Sequence, residues 1–407
     1  MSNSENLISD RIKNLSESQT LAMTRRSREL SEQGYDVINL SIGEPDFDTP
    51  NFIKESAKEA IDKNFTHYTP VAGFPDLRSA ISKKFKRDNK LNYPPNQIIV
   101  STGAKQSLAN VILSLINPGQ EVLVPVPYWV TYYELIRLAE GVPVLLPTSI
   151  DNDFKVTPKQ VERAISRKTK LFIFSTPCNP TGSVYTHDEL AALVEVFKKH
   201  PDIYIISDEI YEHIMFEGKH ESIASFEEIA DRVITINGVS KGFAMTGFRI
   251  GFLGASPEII QASDKMQGQV TSGTCSISQK AATTALLADP KQNPEIQEMI
   301  AIFKQRRDMM VELVGNLPGF RVNVPKGAFY LFPNVTKLFG AYNGTIEINN
   351  SSDLCNYLLD DAHVAVVPGE AFGDPKCIRI SYAASNETLQ EAVKRISESL
   401  SKLQFKY

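Results

Sequence analysis

Short apolar runs punctuate the middle of the chain. Each is followed by a polar or glycine-marked turn and then by a stretch whose apolar positions recur at helical spacing. The runs lie within Gln97–Ser101, Glu121–Pro125, Lys170–Phe174, Asp202–Ile206 and Arg232–Ile236. They are apolar at successive positions rather than at every second one, so both faces need cover, which predicts a parallel sheet between helix layers. Polar residues collect just past their C-terminal ends: Trp129, Asn179, Asp208 and Lys241. In an open α/β sheet that edge is where ligands bind.

The flanks read differently. Ser18 and Thr20 offer capping oxygens before a helix that starts at Leu21 and stops at Gly34, and Asp36–Ser41 reads as a strand entering the loop Ile42–Pro50. Helices are predicted over Asn51–Asn64, Asp76–Arg87, Pro257–Leu287 (with a small-residue stretch at Thr271–Thr274) and Pro294–Leu313. Beyond them, Phe320–Val324, Gly327–Phe332, His363–Val367 and Cys377–Tyr382 read as strands of a smaller α+β domain closed by a helix over Asn386–Leu403. The expected division is therefore 1–48 as an arm and helix of the small domain, 49–290 as the large domain, and 291–407 as the small C-terminal α+β domain.

Composition narrows the function classes. The 407 residues carry a net charge of −5 with no long basic run, which gives no reason to expect nucleic acid as a partner. No apolar run reaches membrane-spanning length. Met1–Asn6 lacks the basic-then-apolar order of a signal peptide, so none is expected. The four cysteines are scattered and no metal-ligand spacing occurs, which points to free thiols in a reducing cytoplasm and to no metal.

The chemistry centres on Asn237-Gly-Val-Ser-Lys-Gly-Phe-Ala-Met-Thr-Gly-Phe-Arg249. Lys241 stands between Ser240 and Gly242 at a strand end, where a partly desolvated amine becomes nucleophilic and able to form a Schiff base. Arg249, expected to alternate with Phe248 and Ile250 in a strand, is suited to a phosphate. Gly238, Ser240 and Gly242 also spell Gly-x-Ser-x-Gly. A hydrolase elbow, however, must lead into a helix, whereas Gly247 and a strand follow here. A pyridine aldehyde needs an amine, a carboxylate for the ring nitrogen, a phosphate cradle and a flat stacking partner. Lys241, Asp208, the Gly103-Ala104-Lys105 turn with Ser240 and Arg249, and Trp129 offer one of each, and Tyr211 and Asn179 can bond the ring hydroxyl.

Gly43-Glu-Pro-Asp-Phe-Asp-Thr-Pro50, Gly103-Ala-Lys-Gln-Ser107, Pro127-Tyr-Trp129, Asn179-Pro-Thr-Gly182, Ser207-Asp-Glu-Ile-Tyr211, Ser240 to Arg249, and Arg379 in Ile-Arg-Ile-Ser-Tyr382 occur in one order in one chain. In this the sequence resembles the class I/II aminotransferases of fold type I, in the bacterial-type aspartate aminotransferase branch. The resemblance implies an α/β fold with a mainly parallel seven-stranded sheet, pyridoxal 5'-phosphate as cofactor, and a homodimer with the site at its interface. It implies Lys241 as cofactor anchor and proton shuttle, Asp208 on the pyridine nitrogen, and Tyr211 and Asn179 on the ring oxygen. Trp129 would stack on the ring. Arg379 would clamp the substrate α-carboxylate, helped by Gly43 and Asn179, and Tyr68 would reach the partner's phosphate. Lys105 would meet the second carboxylate, with Ser18 and Thr20 closing over the substrate. Aspartate and 2-oxoglutarate are the substrates so implied. Prephenate, aromatic or neutral amino acids are the alternatives, and a C–S lyase or a decarboxylase the more distant ones.

Overall fold

The computed structural model describes residues 7–17, 19–344 and 346–405. One seven-stranded sheet comprises β1 (Ile98–Ser101), β2 (Glu121–Val126), β3 (Val142–Pro147), β4 (Thr169–Ser175), β5 (Tyr204–Asp208), β6 (Val233–Gly238) and β7 (Gly251–Gly254). Their spatial order is β1-β7-β6-β5-β4-β2-β3. β7 runs antiparallel to both neighbours and the other pairings are parallel, so the sheet is mainly parallel as expected. Successive residues enter opposite apolar layers: Phe172 and Phe174 of β4 one, Leu171 and Ile173 the other. Helices Asn51–Asp62, Pro75–Lys84, His187–Phe197 and Ser276–Leu287 supply Ile53, Leu77, Leu193 and Ala281 to the first layer. Helices Ala104–Leu115, Val130–Leu138 and Pro257–Val270 supply Leu108, Ile136 and Ile259 to the second. Each such large apolar side chain contributes about 1.5–3 kcal/mol on burial, which fixes the sheet and with it the edge that carries the polar residues.

A second core gathers Phe303, Met310, Phe329, Leu354, Ile380 and Ile396 from the C-terminal part of the chain, and Met23, Ile38 and Leu40 pack into it. The short strand Ile38–Asn39 pairs in parallel with Val364–Ala365, so the segment before the large sheet is joined to the end of the chain. Tyr330–Leu331, Ile378–Ser381 and Val367–Pro368 form a small antiparallel sheet with Ile378–Ser381 in the middle.

Several local expectations need correction. Arg249 is not in a strand: it follows the turn Thr246–Phe248 in a left-handed conformation, φ +57, and β7 begins at Gly251. Phe320–Val324 is not a strand. Between Gly319 and Pro325 only Arg321 pairs, with Asn334. Thr20 lies inside the helix Gln19–Glu32 rather than ahead of it, and Ser18 falls outside the described residues. The α-helix from Pro75 stops at Lys84 and widens into a π turn over Phe85–Asn89. The expected helix over Pro257–Leu287 is two, broken at Thr271–Thr274. β3 and the helix Ser351–Asp361 had no counterpart in the sequence reading. The two prolines of β3 mask it, and they are tolerated because the strand lies at the sheet edge. Among the described residues no helix is long and apolar enough to cross a membrane.

Candidate active site

The C-terminal ends of β4, β5 and β6 and the first turns of the helices Ala104–Leu115 and Val130–Leu138 open onto one cavity of about 350 Å³. Thr20, Gly43, Ala104, Lys105, Trp129, Asn179, Asp208, Tyr211, Ser240, Lys241, Arg249 and Arg379 all line it. Gly103 lies against Arg249 just behind the lining. Tyr68 is fully exposed and outside the cavity.

Lys241 follows β6, and its Nζ donates to the Gly43 carbonyl at 2.5 Å. Burial lowers its pKa to about 8. Glu44 opposes the shift, and the guanidiniums of Arg379 and Arg249 assist it. About a tenth of the amine is thereby neutral, hence nucleophilic, at pH 7, far more than for an ordinary lysine. Asp208, at the end of β5, accepts from the Tyr132 hydroxyl at 2.6 Å and from the Ile210 amide at 3.3 Å. Burial raises its pKa to about 6, with the Tyr132 bond pulling the other way. The Tyr211 hydroxyl meets that of Tyr330 at 2.7 Å, both buried.

Arg379, 2 % exposed on its strand, donates to Asn179 Oδ1 at 3.0 Å and to the Ser41 carbonyl at 2.6 Å, and its guanidinium lies over the Tyr330 ring. Its Nε is buried and has no partner among the described residues. At the opposite end, Gly103 begins the helix Ala104–Leu115 at φ +82 with no side-chain cap. A Cβ there would lie 2.4 Å from the Arg249 guanidinium, so only glycine lets that cation close on the turn. Lys105, in the same first turn, has its ammonium 5.1 Å from the Trp129 ring centre, and burial, then Arg249, lowers its pKa.

This donor set fits a phosphorylated pyridine aldehyde. A neutral-prone amine faces the cavity. A buried carboxylate with a raised pKa has no cation bonded to it among the described residues, and protonating a ring nitrogen would supply one. The uncapped helix start, Ser240 and Arg249 make a phosphate cradle. The buried, unpartnered Arg379 Nε leaves a donor for a carboxylate.

Tyr132, Tyr330 and Glu44 line the cavity without having been singled out from sequence. Tyr132 stands one helical turn beyond Trp129, an i, i+3 spacing that offered a signal. Tyr330 is the one residue with a polar tip in Gly327–Phe332, and nothing local distinguishes its hydroxyl from a core tyrosine's. Glu44 donates nothing by itself but accepts from Thr246 at 2.9 Å, tying the Gly43 loop to the loop after Lys241.

The sequence pattern defining the family "Aminotransferase class I and II" matches residues 35–396. A bifunctional aspartate aminotransferase and glutamate/aspartate-prephenate aminotransferase of Petunia hybrida is 48 % identical over 395 residues, covering 97 % of this chain and 82 % of that protein. An aspartate/prephenate aminotransferase of Nitrosomonas europaea is 43 % identical, covering 97 % and 100 %. Among solved structures, the aspartate aminotransferase of Rhizobium meliloti superposes with a TM-score of 0.94 at 39 % identity, over 98 % and 99 % of the two chains. That of Thermus thermophilus with maleate gives 0.90 at 37 %, over 96 % and 99 %. The chain belongs to the class I and II aminotransferase family.

Proposed function

We propose that this family member is a pyridoxal-phosphate-dependent aspartate aminotransferase, exchanging the amino group of L-aspartate with 2-oxoglutarate to give oxaloacetate and L-glutamate in two half-reactions. The single observation that carries the reading is the pairing, in one cavity, of Lys241 with a pKa of about 8 and a buried Arg379 that keeps an unpartnered Nε. The names of the relatives agree, and maleate in the Thermus thermophilus neighbour is, like aspartate, a four-carbon dicarboxylate.

When bound, the cofactor supplies an aldehyde carbon that takes up the amino group and a protonated ring that withdraws electrons from the substrate Cα. Asp208, held by Tyr132, gives the ring nitrogen an anionic partner. Gly103, Ala104, Ser240 and Arg249 hold the phosphate, with Tyr68 reaching a partner subunit's site in a homodimer; its full exposure supports that role. Trp129 stacks, and Asn179 and Tyr211 orient the ring oxygen. Arg379 binds the α-carboxylate in two-pronged fashion, with Asn179 and Gly43 fixing its angle. Lys241 Nζ takes the Cα proton and returns one to complete each half-reaction. Lys105 receives the second carboxylate, in the part of the cavity that Thr20 also lines. Residues 1–48 and 291–407, as a small domain, close over 49–290 and exclude water.

The alternative acceptor is prephenate. It is named for the Petunia hybrida and Nitrosomonas europaea relatives and also bears a second carboxylate for Lys105. The deciding experiment is the visible absorbance of the protein loaded with pyridoxal phosphate, on adding L-aspartate and then 2-oxoglutarate or prephenate. The aspartate reading expects bleaching by aspartate and recovery with 2-oxoglutarate. A band indifferent to aspartate but bleached by another amino acid overturns the substrate, and no band at all overturns the role of Lys241.

A further inference from the structure

The turn after β5 has two faces. Asp208 and Tyr211 line the cavity, whereas Glu209 and Glu212, each the next residue on, are buried away from it, at 0 % and 6 % exposure. Glu209 accepts from Ser222 at 2.6 Å and Ser207 at 2.9 Å, and its other oxygen meets His220 Nε2 at 2.8 Å. Glu212 pairs with Lys84, which is wholly buried, and accepts from Asn89 at 2.6 Å. Lys84 in turn donates to Asn89 Oδ1 at 2.6 Å. The π turn over Phe85–Asn89 brings Asn89 to this place, and such turns cluster at functional sites.

Acidic and histidine side chains here are spaced as metal ligands are, in two groups that share Glu212. The Lys84 ammonium already lies against Glu212, so the chain supplies its own cation. Burial disfavours charge on His220, but Glu209 outweighs it and raises the imidazole's pKa. Burial lowers the pKa of His213, which leaves it neutral. Lys84 thus faces Glu212 and, at 3.9 Å, Asp88, which Arg87 also pairs at 2.6 Å, while His220 faces Glu209.

An apolar core of the same volume holds a fold at least as well as buried ion pairs do, so their place under one turn calls for another reason. We infer that the Lys84–Glu212 and Glu209–His220 pairs are positioning groups for the transamination proposed above, on which this inference rests: they fix the backbone that aims Asp208, Tyr211 and Lys241. The reach to Lys241 passes through His213 and the next residue in the chain, Gly242. His213 meets Glu212 Oε1 at 3.2 Å, and its ring packs so closely on Gly242 that a Cβ there would lie 2.8 Å from His213 Cδ2. The Glu209 amide also donates to the Ile236 carbonyl of β6 at 2.8 Å.

The test compares the full chain with Glu209→Gln and with the charge-neutral double variant Lys84→Met/Glu212→Gln, which leaves no buried charge unpaired. Each is loaded with pyridoxal phosphate. The readouts are the pH midpoint of the visible band, the dissociation constant for pyridoxal phosphate, the thermal midpoint, and kcat and KM for L-aspartate. The expected result is a band midpoint moved by at least ~0.5 pH unit and a kcat lowered on the order of tenfold, with KM changed less than about twofold, in protein that still melts cooperatively. A folded double variant whose band midpoint, cofactor affinity and kcat all stay within about twofold of the parent, whatever its thermal midpoint, would overturn the inference. Should Glu209→Gln fail to fold, the double variant alone decides. Absence of a band in the unsubstituted protein instead overturns the proposed function and this inference with it.

Discussion

Lys84 and Lys241 are two lysines withdrawn from water beside the same short turn, and the fold treats them in opposite ways. Lys84 has a carboxylate and an amide oxygen against its ammonium, so its charge is matched in place. Among the described residues Lys241 hydrogen-bonds a carbonyl and no carboxylate; Glu44 and Asp208 act on it only through space, against the guanidiniums of Arg379 and Arg249, so burial prevails and its pKa falls to about 8. The difference shows that burial alone does not make a lysine reactive. Reactivity comes from burial without a bonded anion, and a paired buried lysine becomes scaffold instead.

Removing each amine should separate the two roles most sharply. Lys241→Ala is expected to abolish the visible band with pyridoxal phosphate and to lower kcat by ~10⁴-fold or more, with the thermal midpoint little changed; absorbance and calorimetry check both halves. Lys84→Met should do the reverse in the melt. Stranding Glu212 as a buried unpaired charge costs about 3–5 kcal/mol, read from denaturant unfolding, and Lys84→Met/Glu212→Gln should recover most of it.

The pH dependence sharpens the contrast further. Because the pKa of Lys241 is depressed in the fold from its ordinary 10.5, the unfolded chain takes up this proton first as pH falls. Its contribution to stability is whole above about 10.5 and is lost as pH drops through about 8. The rate at which ligand-free protein captures pyridoxal phosphate should likewise fall about tenfold per pH unit below 8, as the neutral amine becomes scarce. A stopped-flow series at constant ionic strength measures it. The smallest expected effect concerns a third lysine. Lys105→Ala should raise KM for L-aspartate by roughly tenfold while leaving L-phenylalanine within about twofold, as expected for loss of one charged hydrogen bond. Equal losses on both would remove Lys105 from side-chain recognition.

Much of this was legible in the sequence because strand ends announce themselves. Asp208 and Lys241 each terminate an apolar run that must be buried, so their exposure to a shared cavity follows from a parallel sheet. The partners that tune them were not legible in the same way. Tyr132 bonds Asp208 across 76 positions of chain and Tyr330 meets Tyr211 across 119, contacts set by how helices and the second core pack rather than by any local pattern. Glu209 and Glu212 had the least visible function, since a carboxylate after a strand reads as solvated surface until Lys84 and His220 are seen beside it. β3 was hidden for a simpler reason: its prolines argue against a strand except at an edge, and which strand is the edge is a property of the whole sheet.

The reversed direction of β7 has a consequence for how the molecule can change. The parallel connections β2 to β3, β3 to β4 and β4 to β5 each return through an α-helix, and that from β5 to β6 through a long loop with two 3-10 turns, Ile223–Ser225 and Ala230–Arg232. Such excursions can lengthen without disturbing the edge. The connection from β6 to β7 instead makes a U-turn on that edge, closed at its base by the Gly238–Gly251 pairing, so Lys241 leaves and Arg249 returns within one short hairpin loop. Chain length between these two cations is therefore a geometric constant of the cavity. Insertions should be tolerated in the crossovers but not between 239 and 250, and variation among relatives is expected to stop at that boundary.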